Sequence, residues 1–178
     1  TASSYGLSVD IYRTGNVTND RIHIVWTCYN GNYIYLYHSR CDDLANYNQA
    51  ASWISPTQMD SVMYIFGSLV EYPDIAVDSS GKPHVVWHYF SSNGYLRYKT
   101  YTTSWQSTRT ITDYDDDTGY TNLDAGYCFP SIDTDSSNRP HVSYAQMKTG
   151  ASDSYVIRRA TSTDGFNTNK TKTDIIVQ

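Results

Sequence analysis

An all-β fold built from three similar four-stranded units is what the sequence predicts, and three observations lead there. The first is a repeat. Tyr72-Pro-Asp-Ile-Ala-Val-Asp-Ser-Ser-Gly-Lys-Pro-His-Val-Val-Trp87 returns as Phe129-Pro-Ser-Ile-Asp-Thr-Asp-Ser-Ser-Asn-Arg-Pro-His-Val-Ser-Tyr144. A worn copy opens the chain as Leu7-Ser-Val-Asp10 and, after a longer loop, Arg21-Ile-His-Ile-Val-Trp26. The histidines of the three copies, His23, His84 and His141, stand 61 and 57 residues apart, so 178 residues hold three units and little else. A period of this kind outranks local propensity as a sign of architecture. The second observation is composition: 18 Tyr with abundant Thr, Ser, Asn and Asp, a single Glu (Glu71) and five Lys. Tyr and Thr suit pleated strands, while Asn, Asp, Ser and Gly make turns, and strong helix formers are scarce. The third is that turn signals separate short alternating runs throughout.

The first unit opens on Leu7-Ser-Val-Asp10 as its first strand. Asn30-Gly31 is a strong hairpin signal between Ile22–Cys28 and Tyr33–His38. In the second unit, 74–78 is a first strand, 79–83 a turn and 84–89 a second strand. Ser91-Ser-Asn-Gly94 then turns the chain into 95–101, where Tyr95, Arg97, Lys99 and Tyr101 alternate with Leu96, Tyr98 and Thr100, the period of a strand. A fourth strand follows Trp105 through 108–112. The third unit ends on Thr173-Asp-Ile-Ile-Val177, an outer strand. The units fall at about 5–60, 72–113 and 127–178 of one continuous segment.

A four-stranded meander of this size cannot bury both faces alone, so neighbours must stack. Radial stacking of such sheets is the β-propeller, with about four to eight blades. Trp26, Trp87 and Tyr144 form one aromatic series suited to packing between blades; Trp53, Trp105 and Phe166 form a second near the third and fourth strands. Three blades are too few for a ring. Completion is expected from further blades of a longer chain or from self-association, two copies making about six blades.

The Pro-x-Ile-x-x-Asp-Ser-Ser-Gly-x-Pro-His-Val-x-Trp run resembles the blades of sialidase-like, BNR-type propellers. Ser162-Thr-Asp-Gly-Phe-Asn-Thr168 resembles a degenerate Asp box, the Ser-x-Asp-x-Gly-x-Thr-Trp hairpin of that superfamily. It keeps the Ser, Asp and Thr, with Phe166 for the glycine and Asn169 for the tryptophan. The resemblance covers all three units and implies architecture, shared by enzymes, lectins and adhesion proteins, more than activity. It also implies what a sialidase would need: three arginines against the substrate carboxylate, a Tyr nucleophile assisted by Glu, and an Asp acid/base. The only Glu, Glu71, is adjacent to Tyr72, so the two side chains should diverge along a strand. The arginines at 13, 21, 40, 97, 109, 139, 158 and 159 show no motif that brings three together.

A formal charge of −5 and a pI near 5.3 argue against sequence-independent nucleic-acid binding, which needs clustered cations. Arg158 and Arg159 are the one basic pair, and strand alternation sends them to opposite faces. No run of 18 apolar residues offers a membrane-spanning helix. Low Lys, acidic loops and Asn-x-Thr triplets at Asn16 and Asn169 point to an extracellular setting. Cys28, Cys41 and Cys128 allow one disulfide and a free thiol, or three small buried hydrophobes. In a two-chain ring, a bridge between Cys28 of one chain and Cys128 of the other is a further arrangement to test.

Three places draw attention as sites. The repeated histidines invite a metal, but equivalent positions on packed sheets stand about 10 Å apart, too far for one ion, so they are framework, and His38 and His88 add no signal. The acidic loop 113–124 places Asp113, Asp115, Asp117 and Asp124 at relative positions 1, 3, 5 and 12, the oxygen-ligand spacing of a calcium loop. Thr118 replaces the usual glycine, and Asp124 is shorter than the usual Glu. Finally, the entrances to the first strands carry Glu71, Tyr72 and Tyr127, with Tyr29, Asn30, Asn32 and Tyr33 at a hairpin on the same side. Flat aromatics beside amides and carboxylates suit ring stacking and hydrogen bonding to a sugar.

The expected function is a non-catalytic extracellular module that binds carbohydrate or a cell-surface protein, with calcium as the one cofactor expected and no catalytic residue assigned. Its alternatives are a structural subunit of a surface layer or filament, and a fragment of a sialidase-like glycoside hydrolase.

Overall fold

Each unit folds as an antiparallel meander: short turns such as 30–32 and 91–93 close the hairpins between second and third strands, and buried and less buried positions alternate along strands such as Arg21–Tyr29 and Tyr33–Cys41. The computed structural model of the protein describes residues 6–16, 19–65, 67–112, 120–121, 128–148 and 154–177. The first sheet runs β1 (Leu7–Tyr12), β2 (Arg21–Tyr29), β3 (Tyr33–Cys41), β4 (Thr57–Met63), in that order. The second runs β5 (Leu69–Val77), β6 (Pro83–Phe90), β7 (Gly94–Thr100), β8 (Arg109–Thr112). A two-residue β9 (Tyr120–Thr121) pairs with the third sheet, whose path is β10 (Ser131–Thr134), β11 (Pro140–Lys148), β12 (Ser154–Thr161), β13 (Thr171–Val177). Two 3₁₀ turns, Leu44–Asn46 and Ala50–Ser52, are the only helical segments among the described residues. The chain is a partial β-propeller.

The repeat in sequence is a repeat in hydrogen bonding. Asp78 Oδ1 accepts the backbone N–H of Ser80 and of Lys82, and Oδ2 lies 3.2 Å from His84 Nε2. Asp135 accepts the N–H of Ser137 and of Arg139 in the same way and lies 3.1 Å from His141 Nε2. Burial works against the Asp78 charge, yet the Ser80 hydroxyl, which also donates to Oδ1, together with these donors holds its carboxyl below the ordinary range. The backbone N–H of Arg139 and the ring of His141 do the same for Asp135. Gly81 and Asn138 take the left-handed corner at φ 81 and 61, Asn being the residue that best replaces Gly there. A bulge falls at one repeat position in all three sheets, between Leu36/Tyr37, Leu96/Arg97 and Ile157/Arg158.

Two cores fill the spaces between sheets. Val25, Ile34, Leu36, Met59 and Val62 of the first sheet meet Val70, Ile75, Val85 and Trp87 of the second. The other face of the second sheet, with Val86, Leu96, Tyr98 and Ile111, meets Ile132, Val142, Tyr144, Ala160 and Phe166. Trp87 and Tyr144 thus fill inter-sheet space, whereas Trp26 lies half-buried on the open face of the first sheet, stacked on Tyr37. Arg158 is buried and Arg159 exposed, on opposite faces of β12. All three cysteines are free, and Cys128 is fully buried between the second and third sheets. Burial and then the Glu71 carboxylate push its thiol up. A bridge from Cys128 to another chain is therefore closed off by burial.

The 162–169 hairpin is organised by two side chains. Ser162 Oγ accepts the N–H of Asp164 and Phe166. Asp164 accepts the N–H of Asn167, Thr168 and Asn169 and the Thr168 hydroxyl. The Thr168 hydroxyl and amide hold the Asp164 carboxyl far below the usual range. The turn seats Phe166 edge-on against Tyr98 at 5.0 Å, and Arg109 Nη1 donates to the carbonyls of Asp164 and Gly165. Gly165 sits at φ +65, and a Cβ there would stand 2.9 Å from Arg109 Nη1, which its two carbonyl bonds hold in place. Gly165→Ala is expected to destabilise the protein by about 1–3 kcal/mol, read as a lower urea midpoint at unchanged m value.

Candidate functional site

The start of β1 and the residues just before β10 meet the middle of β5, which opens at Leu69 and not at the expected 74, and there the chain departs from ordinary backbone. Tyr72 and Phe129, equivalent in the repeat and each followed by proline, sit at φ 50 and 36. That region costs a non-glycine residue on the order of 1–2 kcal/mol, and such outliers gather where a structure positions side chains for use. The two rings lie 4.6 Å apart, tilted by 45°. Gly6 holds the matching place in the first unit, and a Cβ on it would stand 2.7 Å from Pro73 Cδ. Two aromatics and one glycine therefore frame a hollow of about 340 Å³, open to solvent, with Phe129 57% exposed.

A carboxylate anchors the hollow. Asp74 Oδ1 accepts the Ser8 hydroxyl at 2.6 Å, and Oδ2 accepts the Ser131 hydroxyl at 2.9 Å and the Ile132 N–H at 2.8 Å. One side chain thus ties the first strands of all three sheets, while Asp10 Oδ2 accepts the Val77 N–H beside it. Burial and then the Glu71 carboxylate push the Tyr72 phenol above its ordinary value, so it stays a neutral donor and stacking surface.

The residues named from sequence separate. Tyr72 lines the hollow. Glu71 is buried instead of facing a ligand, its Oε1 3.2 Å from His88 Nδ1, because a bulge between Glu71 and Asp74 turns the chain there. Tyr29 packs edge-on to Tyr64 at 5.1 Å, and exposed Asn32 lines a second hollow of about 460 Å³ with Tyr33, Met63 and Tyr64. No residue lines both hollows. Asn30 serves the turn itself, its Oδ1 accepting the N–H of Asn32 and Tyr33. Tyr127 and the expected calcium ligands Asp113, Asp115, Asp117 and Asp124 lie outside the described residues. Phe129, Asp74, Ser8 and Ser131 were not named; the aromatic-Pro pair at one repeat position was the signal that could have found them.

The framework histidines have partners that the repeat does not reveal. His23 Nδ1 lies 3.1 Å from His38 Nε2, both rings buried. Burial first, then the charge of the neighbouring ring and of Arg40, lowers His23 to about 3; burial and Arg40 lower His38 to about 4. Most described arginines are engaged. Arg97 bonds Asp60 at 3.0 Å and lies over Tyr89, Arg158 bonds Asp174 and Gln146, and Arg139 bonds Asp135. Arg109 and Lys82 reach a polar cavity of about 250 Å³ between the second and third sheets, lined also by Asp78, His84 and Asp164.

No protein-family model and no curated protein matches the sequence. Among solved structures, the Hadza microbial sialidase Hz136 superposes with a TM-score of 0.51 at 10% identity, over 84% of this chain and 34% of that one. The likeness is one of fold. The chain thus spans about a third of that sialidase's length. Among the described residues, no helix is long and apolar enough to cross a membrane.

Proposed function

We propose that the chain is a non-catalytic, extracellular propeller module that binds carbohydrate at the meeting point of its first strands. The single observation that carries this reading is the strained, solvent-facing Tyr72–Phe129 pair beside the Asp74 carboxylate. A pyranose ring stacks its C–H face on such aromatics and presents hydroxyls to a carboxylate and serines. The likeness to a sialidase fold supports a carbohydrate-related role, and we read the 162–169 hairpin as an Asp-box turn. The non-catalytic reading rests on chemistry. Glu71 is bonded to His88, the Tyr72 phenol is held protonated, and Arg97, Arg139 and Arg158 are each spent on carboxylates of this chain. Further blades would complete the wall around the hollow.

A glycan array probed with and without calcium tests ligand and metal together. Binding is expected with wild type and is lost, by about tenfold or more, in Phe129→Ala and in Tyr72→Ala, each of which removes one stacking face worth about 1–2 kcal/mol. Silence of the wild type in both conditions would remove the carbohydrate reading. Binding that appears only with calcium would support the acidic loop 113–124 as its seat.

A further inference from the structure

The two end sheets expose the faces that the interior of the chain buries. Val9, Ile75 and Ile132 hold one repeat position; Ile75 and Ile132 are 4% and 6% exposed, Val9 54%. On the opposite faces, Leu36, Leu96 and Ile157 hold another; Leu36 and Leu96 are fully buried, Ile157 39% exposed. The aromatic series behaves alike. Trp53 bridges Cys41 just as Trp105 bridges Tyr101. Within the chain, Trp105 sits edge-on at 4.9 Å to His38 of the preceding sheet, and Phe166 at 5.0 Å to Tyr98 of its preceding sheet. His38, Tyr98 and Arg159 hold one place on their third strands, opposite Val25, Val86 and Ser143. Trp53 on the first sheet and Arg159 on the third are thus the two halves of a third such contact. Beside Trp53 the open face forms a hollow of about 580 Å³ with Leu7, Ile24, Trp26 and Ile54.

We propose that a second copy of this chain occupies these faces, the third sheet of each copy docking on the first sheet of the other, with Arg159 over the Trp53 ring. The contact continues an interface that the chain already forms twice, with Arg159 supplying a cation–π contact where the interior contacts use His38 and Tyr98. A head-to-tail contact either closes or propagates. Two copies bring about six blades, within the range of closed propellers, whereas three copies overshoot it. Both contacts of such a pair are identical, and each copy gives one face to each.

Sedimentation equilibrium of the 178-residue chain tests this. The expected particle has twice the chain mass of 20.2 kDa. Val9→Asp and Ile157→Asp, both at exposed positions, should each give a folded monomer with unchanged circular dichroism. Mixed in equal amounts, these variants should regain a two-chain particle, because one of its two contacts is then wholly wild type. Arg159→Glu should weaken the wild-type pair by about tenfold. A wild-type chain that stays monomeric to its solubility limit overturns the proposal, as does one that grows into open polymers. A dimer that loses its association through only one of the two Asp variants would pair like faces, and also overturns it.

Discussion

Trp87→Ala is expected to lower the unfolding free energy by about 3–5 kcal/mol, the range for deleting a large aromatic from a packed core. Trp87 is fully buried between the first two sheets, and its Nε1–H donates to Asp60 Oδ2 at 3.0 Å. Asp60 also receives Arg97 Nη1 at 3.0 Å, so truncation opens a cavity beside an ion pair that loses one of its donors. Lys99 Nζ, donating to the Met59 carbonyl, belongs to the same contact. Urea unfolding at pH 7 provides the measurement. Trp26, at the same repeat position but half-buried on the open face, should cost a single chain much less. Equal losses at both positions would contradict the assignment of inner and open faces.

Acid should weaken the fold well above the carboxylate range. The buried pair His23 and His38 has folded-state pKa values of about 3 and about 4, lowered first by burial, against 6.5 for free histidine. The ring nitrogens that do not meet, His23 Nε2 and His38 Nδ1, have no hydrogen-bond partner among the described residues. A lowered histidine contributes stability that is whole above pH 6.5, where both states are neutral. That stability drains as pH falls, because the unfolded chain takes up protons that the folded chain refuses. The loss should run from pH 6.5 to about 4 for His38 and on to about 3 for His23, with a slope up to about 2.7 kcal/mol per pH unit for two protons. His84, also lowered by burial, adds in the same direction. Asp78, Asp135 and Asp164 have lowered pKa values, so their contribution starts to fall only near the ordinary carboxylate range. Urea stability compared at pH 7 and pH 5 isolates the histidines. The difference should shrink in the His23→Gln, His38→Gln double variant; a wild type equally stable at both pH values contradicts the account.

Much of the fold was legible because its repeated part is local. The Asp-x-x-x-x-Pro-His run reads as a turn since Asp78 and Asp135 bond donors two to six residues away. Alternation along 95–101 assigned Leu96 and Tyr98 to one face, and both are buried. What stayed hidden crosses strands. The common bulge of the third and fourth strands is an event of register between two segments, with no residue type of its own. The His23–His38 and Glu71–His88 pairs join residues 15 and 17 apart, which no spacing rule brings together. The candidate site was half legible. Tyr72 draws attention in the sequence for its ring, and the equivalence of Phe129 to Tyr72 before a proline is visible in the repeat. Asp74 looked like any strand residue; only the convergence of β1, β5 and β10 makes it the common acceptor of Ser8, Ser131 and Ile132.

The central functional claim concerns one place on the molecule, so its most direct test is a map. Backbone and aromatic NMR resonances of the labelled chain can be followed during titration with the glycan that scores on the array. The account predicts perturbations centred on Ser8, Tyr72, Asp74, Phe129 and Ser131, where the three first strands meet. Perturbations confined to the polar cavity of Asp78, His84 and Arg109, or to the hairpin of Asn32 and Tyr64, would contradict it.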